Sequence, residues 1–367
     1  MGGLILFLSL LAIAGCSSST APPSDWIVEG VNLTELFAPP TEAEIEAVQS
    51  DWESREPGIA DSATVKQKTV SAGALFDIRI VAHRVDGAIH YGAICTPVGS
   101  AARSKAVLMY CHGGDDGEDI DDLLFLLNLA FGGVPDDFVY VIPSFRSEPI
   151  HFDNMTYVSE GDPSPWDRDV DDAMALLSLA LASEPAADPE RVGVIGFSRG
   201  ACVGMLMAIR DPRVDLVVEY FGPVDFFGGF VQGLTANALK GDLRALPGLA
   251  DLNESLIQPL KNGELTYEAV RLAMLRRSPV YFAEMLPPLQ LHHGTADITV
   301  PVSEAERLIE VMTELGRTPP EFESYLYQGG GHTPLLPGSL DRALDFLERL
   351  VPPASLARYR TGGVPPL

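Results

Sequence analysis

The chain has 367 residues, 46% of them hydrophobic, enough for a sizeable buried core in one large or two ordinary domains. It carries 51 Asp and Glu against 25 Lys and Arg, a formal net charge of -26. That balance argues against nucleic acid as a partner and reads as a solvated acidic surface.

Residues 2–15 form an apolar run, too short for the ~20 residues of a membrane-spanning helix, so residues 1–15 read as a secretion signal. Its end, Ile13-Ala14-Gly15-Cys16, followed by Ser17-Ser18-Ser19-Thr20, resembles a bacterial lipoprotein cleavage box. The resemblance implies a lipidated Cys16, a tether over 16–40, and an extracytoplasmic protein, periplasmic or cell-surface, held to a membrane by lipid. No Lys or Arg precedes Arg55, so the positive segment expected before such a core is missing. The alternative is an ordinary cleaved signal with Cys16 incidental. Cys95, Cys111 and Cys202 remain, an odd number on apolar segments, which predicts core side chains rather than a disulfide framework.

Residues 41–53 have helical spacing, with Thr41 and Glu44 in capping-box positions. Strand-like alternation follows at 76–83 and 88–95, on either side of Asp86-Gly87, a two-residue hairpin turn. Short apolar runs at 106–111, 138–142, 191–197, 214–221 and 289–293, with a strand-like 322–327, come next. Helical stretches at 120–130, 170–182, 201–209, 303–315 and 340–350 lie between or after them. This rhythm predicts an α/β fold: a mostly parallel sheet covered on both faces by helices and preceded by an antiparallel hairpin. Between about 225 and 288 the rhythm is broken by Gly-containing and helical sequence, an insertion or cap above the sheet. Residues 41–367 thus read as a single domain.

The chemistry centres on Gly196-Phe197-Ser198-Arg199-Gly200, which directly follows the apolar run ending at Ile195 and directly precedes a helical stretch. A strand, a Gly-flanked Ser and a helix make a nucleophile elbow, whose turn needs Gly for close backbone approach. Such a Ser needs a base and an acid to orient it, in the order Ser, acid, His. Of seven His, His332 alone follows any suitable acid, and it stands in a Gly-rich loop after the 322–327 run. Asp297, after one strand and before a helix, is the expected acid; Asp225 competes, but is read as shaping the pocket or capping a turn. The oxyanion needs two donors. One is the Arg199 N–H; the other comes from His112-Gly113-Gly114, with Gly113 favoured as the donor and Gly114 the alternative.

Together with Ser144-Phe145-Arg146 and the Asp188-Pro189-Glu190-Arg191-Val192 lead-in, these motifs resemble the α/β-hydrolase superfamily, specifically the catalytic domain of the prolyl oligopeptidase family and its esterase relatives. The resemblance runs from the hairpin to the last helix. It implies a serine hydrolase acting on an ester or short peptide through an acyl-enzyme, without a cofactor. Peptidases of that family often have Tyr and Gly-Gly around the nucleophile, where this chain has Phe197, Arg199, Gly200 and Ala201, and the large ones carry a propeller for which there is no room. An ester is therefore favoured, with a prolyl-oligopeptidase-type peptidase as the alternative and a non-catalytic surface binding protein as the reading from another class.

Trp166, Phe226, Phe227 and Tyr281 are expected near the pocket mouth, lining an apolar or aromatic site. Arg146 and Arg199 are candidates for a substrate carboxylate, or else pair with nearby acids. The acidic stretch 115–122 lacks EF-hand spacing and reads as the first turn of the next helix, and His292-His293 reads as packing, so no metal is expected.

Overall fold

A computed structural model describes residues 25–55, 60–131 and 133–352. Its centre is a nine-stranded sheet, numbered here in chain order: β1 Ala60–Ala72, β2 Ala74–Val85, β3 Ala88–Pro97, β4 Lys105–Cys111, β5 Phe138–Pro143, β6 Ala187–Phe197, β7 Val214–Tyr220, β8 Leu289–Gly294 and β9 Phe322–Tyr327. The spatial order is β9-β8-β7-β6-β4-β5-β3-β2-β1. From β9 to β5 all neighbours are parallel, whereas β3 runs antiparallel to β5 and the first three strands form an antiparallel meander.

Alternation along the strands divides the core in two. Val107, Met109, Val139, Val141 and Val217 face one layer, while Ala106, Leu108, Phe138, Tyr140, Leu216 and Val218 face the other. The first layer is packed by α3 (Arg168–Ser183), α4 (Arg199–Arg210) and α7 (Val302–Glu314), the second by α2 (Ile120–Phe131) and α8 (Ser339–Leu347). Helix α1 (Glu42–Ser54) starts at the expected capping box: the Thr41 hydroxyl accepts from the Glu44 N–H, and the Glu44 carboxylate accepts from the Thr41 N–H. The Asp86-Gly87 turn joins β2 to β3 with both residues at positive φ. Cys95, Cys111 and Cys202 are buried, and burial pushes the first two thiols up to about 12.

The 225–288 insertion lies between β7 and β8 and is helical, with α5 (Gly229–Leu239) and α6 (Tyr267–Leu275) as its longest pieces. Two sequence expectations change. β1 is an added strand, missed because its Ser, Thr, Lys and Gln residues give no apolar alternation. The tether expected over 16–40 is packed into the fold from Val28 onward. Leu33 and Leu36 are fully buried, and the Asn32 N–H donates to the Tyr267 hydroxyl at 2.7 Å. Four apolar residues within ten, Val28, Val31, Leu33 and Leu36, carry that segment into the core. Cys16 and the 1–15 signal lie outside the described residues. Among the described residues no helix is long and apolar enough to cross a membrane.

Candidate active site

Every predicted triad and oxyanion residue lies just beyond the carboxyl end of a parallel strand: His112-Gly113-Gly114 after β4, Ser198 after β6, Asp297 after β8 and His332 after β9. In an open parallel sheet that edge is where ligands bind.

Ser198 occupies the turn between β6 and α4 with φ 53° and ψ -118°, a left-handed conformation that costs a non-Gly residue on the order of 1–3 kcal/mol. Its N–H donates to the Tyr220 carbonyl at 2.8 Å, which holds the strained turn against β7. The flanking glycines are required by crowding. A Cβ on Gly200 would lie 2.1 Å from the Cys111 oxygen, and one on Gly196 would lie 2.3 Å from the Gly200 oxygen. The Arg199 N–H sits at the first helical position, where no intrahelical acceptor exists.

The expected acid and base, Asp297 and His332, lie in contact. His332 Nδ1 lies 2.7 Å from Asp297 Oδ2, and the other carboxylate oxygen, Oδ1, accepts from the N–H groups of Thr299 and Val300 at 2.8 and 3.0 Å. Burial pushes the Asp297 carboxyl up, but the His332 ring and those two N–H groups outweigh it and hold it below the usual range. The imidazole packs on Phe221, 4.3 Å between ring centroids. Phe221 is itself at positive φ and adjoins Gly222, whose Cα faces the Ser198 carbonyl. Asp225 does not compete for the ring. Its Oδ1 accepts from the Phe227 N–H and the Tyr281 hydroxyl, the turn-capping role expected of it.

Gly113 lies against the elbow, with an added Cβ placed 3.1 Å from Ser198 Cβ. Gly114 has φ +79°, the left-handed region that favours glycine, with open space where a Cβ would sit. His112 Nδ1 donates to the Gly113 carbonyl at 3.1 Å, and Arg199 Nη1 donates to the Gly114 carbonyl at 3.2 Å.

Ser198 opens on a narrow apolar cavity of about 50 Å³ walled by Trp166, Phe226, Phe230, Val231, Leu246 and Leu249. Trp166 and Phe226 both stand on this wall, in edge contact at 5.2 Å between ring centroids. Phe227 and Tyr281 are corrected: they pack on each other beneath Arg271, away from the cavity wall, because Asp225 and Arg271 draw both into the insertion's interior. Arg146 is also corrected as a substrate contact, since its guanidinium is held by Asp172 at 2.7 and 3.1 Å. Arg199 is only 3% exposed, and its side chain is equally committed: to Asp169 at 2.8 and 2.9 Å and to Glu148. The sequence reasoning missed Glu148 and Asp169. The signal was present, because an Arg in the first turn of an apolar helix opposes the helix dipole and needs a buried acid to offset it.

No family model matches the chain. Its fold is that of the α/β-hydrolases. Acetyl xylan esterase 1 from Thermoanaerobacterium sp. superposes with a TM-score of 0.56 at 17% identity, over 87% of this chain and 99% of that one. An acylaminoacyl peptidase of Pyrococcus horikoshii does so with a TM-score of 0.50 at 18% identity, over 78% of this chain and 42% of that one. In sequence, an isoprenylcysteine alpha-carbonyl methylesterase of Arabidopsis thaliana is 23% identical over 175 residues, 45% of this chain. The match spans 39% of that enzyme's length, less than half of it.

Proposed function

We propose that the protein is a serine hydrolase that cleaves carboxylic esters through an acyl-enzyme. The observation that carries this reading is a strained, Gly-flanked Ser198 opening on an apolar cavity, with a bonded His332–Asp297 pair on the neighbouring loops. In the first step His332 takes the Ser198 proton as Oγ attacks the carbonyl carbon. The N–H of Arg199, with that of Gly113 or Gly114, stabilises the oxyanion. His332 then passes the proton to the leaving alcohol, and water repeats the attack to release the acid. Asp297 keeps the imidazole oriented, with its proton on Nδ1.

An ester is favoured over an amide by the apolar cavity, in which the guanidinium that reaches the wall is already held by Asp169 and Glu148 and is not free to bind a peptide carboxylate. Likeness to proteins described as esterases supports the same choice. The second reading, a peptidase of the prolyl oligopeptidase type, is favoured by the motif resemblance and the likeness to the acylaminoacyl peptidase. Measuring kcat/KM on an ester and an anilide of one acyl group, with Ser198→Ala as the blank, separates them. Activity on the ester alone supports the first reading, and comparable values support the second. We also propose that the chain is lipidated at Cys16 and held to a membrane outside the cytoplasm. Mass spectrometry of detergent-extracted protein tests this, and an unmodified Cys16 would refute it.

A further inference from the structure

The hydrolase reading leaves one buried polar cluster without a task. Beneath the Gly113-Gly114 loop lie Arg199, Glu148, Asp169 and His112, all less than a tenth exposed. Arg199 donates to Asp169, to Glu148 and to the Gly114 carbonyl, and its guanidinium stacks over Phe145. Asp169 Oδ2 also accepts from the N–H of Trp166, a cavity wall residue, so one guanidinium ties the elbow, the glycine loop and the wall together.

The proton inventory of this cluster is incomplete. His112 donates from Nδ1 to the Gly113 carbonyl, and burial pushes the ring down to about 4, so it is neutral and its Nε2 carries a lone pair. That lone pair faces Glu148 Oε2 at 3.6 Å, and neither atom has any hydrogen-bond partner. Two buried acceptors facing each other repel unless a proton lies between them. The charge count agrees: Arg199 and Asp169 cancel, so an ionised Glu148 would leave an uncompensated buried negative charge, with Asp115 adding to it.

We propose that Glu148 is protonated and shares its proton with His112, and that Arg199, Glu148 and His112 act as positioning residues for the oxyanion loop. The peptide geometry supplies the mechanism. In a trans peptide the N–H points opposite the carbonyl. His112, by holding the Gly113 oxygen, aims the Gly114 N–H. Arg199, by holding the Gly114 oxygen, fixes the following peptide. When Glu148 loses its proton, its Oε2 repels His112 Nε2 and its new charge draws Arg199 away from the loop. Burial, opposed by Arg199 and reinforced by Asp169 and Asp115, pushes Glu148 up to about 7, so this loss falls in an accessible pH range.

The inference rests on the hydrolase reading, and the experiment keeps the two apart. Glu148→Gln preserves a neutral donor towards His112 and an acceptor for Arg199. Glu148→Leu removes both. For wild type and both variants, kcat and KM on a 4-nitrophenyl ester are measured from about pH 6 to 9, with thermal melts at each pH. The ratio of wild-type to Glu148→Gln kcat cancels titrations common to both proteins. It is expected to fall about tenfold as Glu148 ionises, with KM and the folded fraction unchanged, a loss in keeping with a slightly misaimed donor. Glu148→Leu is expected to lose kcat at every pH, with KM held. If Glu148→Leu does not fold, the ratio still decides. A flat ratio in active protein overturns the inference and leaves the hydrolase standing. Failure of wild type to turn over any ester at any pH removes both.

Discussion

His332 and Asp297 are joined by a 2.7 Å contact whose geometry permits one proton arrangement, because Asp297 spends its other oxygen on two backbone N–H groups and has only Oδ2 left for the ring. Nδ1 must therefore donate, which leaves Nε2 as the acceptor a general base requires. Asp297→Asn keeps the oxygen that accepts from Thr299 and Val300 but presents an amide donor to Nδ1, forcing the ring into the other tautomer. kcat is expected to fall by about four orders of magnitude with the circular dichroism spectrum unchanged. A loss under tenfold would show that Asp297 does not set the tautomer.

The elbow's demand for glycine is a matter of space. Gly200→Ala would push a Cβ into the Cys111 and His112 carbonyls, at 2.1 and 2.4 Å, where only backbone can yield. It is expected to destabilise the fold by at least about 2 kcal/mol in urea unfolding. Gly233→Ala, at an exposed position of helix α5 with nothing near its Cβ, is the control and is expected to be neutral or stabilising by up to about 1 kcal/mol. Equal effects at the two positions would contradict the close approach.

Acyl preference should follow the cavity. Each buried methylene contributes about 0.8 kcal/mol, so kcat/KM is expected to rise from acetate to hexanoate esters as the chain enters the space walled by Phe226, Phe230 and Val231. Val231→Trp fills that space and is expected to lower the hexanoate-to-acetate ratio about tenfold. An unchanged ratio would mean that the acyl chain lies elsewhere.

Acid stability should depend on an ion pair far from the chemistry. Arg271 of the insertion binds Glu44 at 2.6 and 2.9 Å and also bonds the carbonyls of Leu36 and Ala38, tying the amino-terminal segment to α6. The Arg271 hydrogen bond, opposed by burial and aided by Thr41, lowers the Glu44 carboxyl from its usual 4.5 to about 2. A carboxyl that titrates lower in the folded chain stabilises it above the unfolded value, and that contribution drains away as pH falls from about 4.5 towards 2. Arg271→Met is expected to lower the melting temperature at pH 7 and to flatten its dependence on acid over that window. Parallel melting curves for the two proteins would argue that the pair contributes nothing.

What could be read before the structure followed from periodicity and chain order. The hairpin at Asp86-Gly87 and the strand–Ser–helix run at 191–209 are local patterns, and the order Ser198, Asp297, His332 follows from the sequence of strands along the chain. What escaped was decided by tertiary partners. β1 has no apolar alternation of its own and is held by pairing with β2. Glu148 and Asp169 are unremarkable in sequence and become part of the site only because Arg199 is buried between them. Phe227 and Tyr281 were expected at the mouth because of their place in the chain, but Asp225 and Arg271 pull them inward.

The central claim is that Ser198 is the nucleophile, and its most direct test is covalent. Folded protein is treated with a fluorophosphonate, and the modified peptide is mapped by mass spectrometry. One adduct per chain is expected, on Ser198, formed in step with loss of esterase activity and absent from His332→Ala. Full activity without an adduct, or an adduct on another residue, would contradict it.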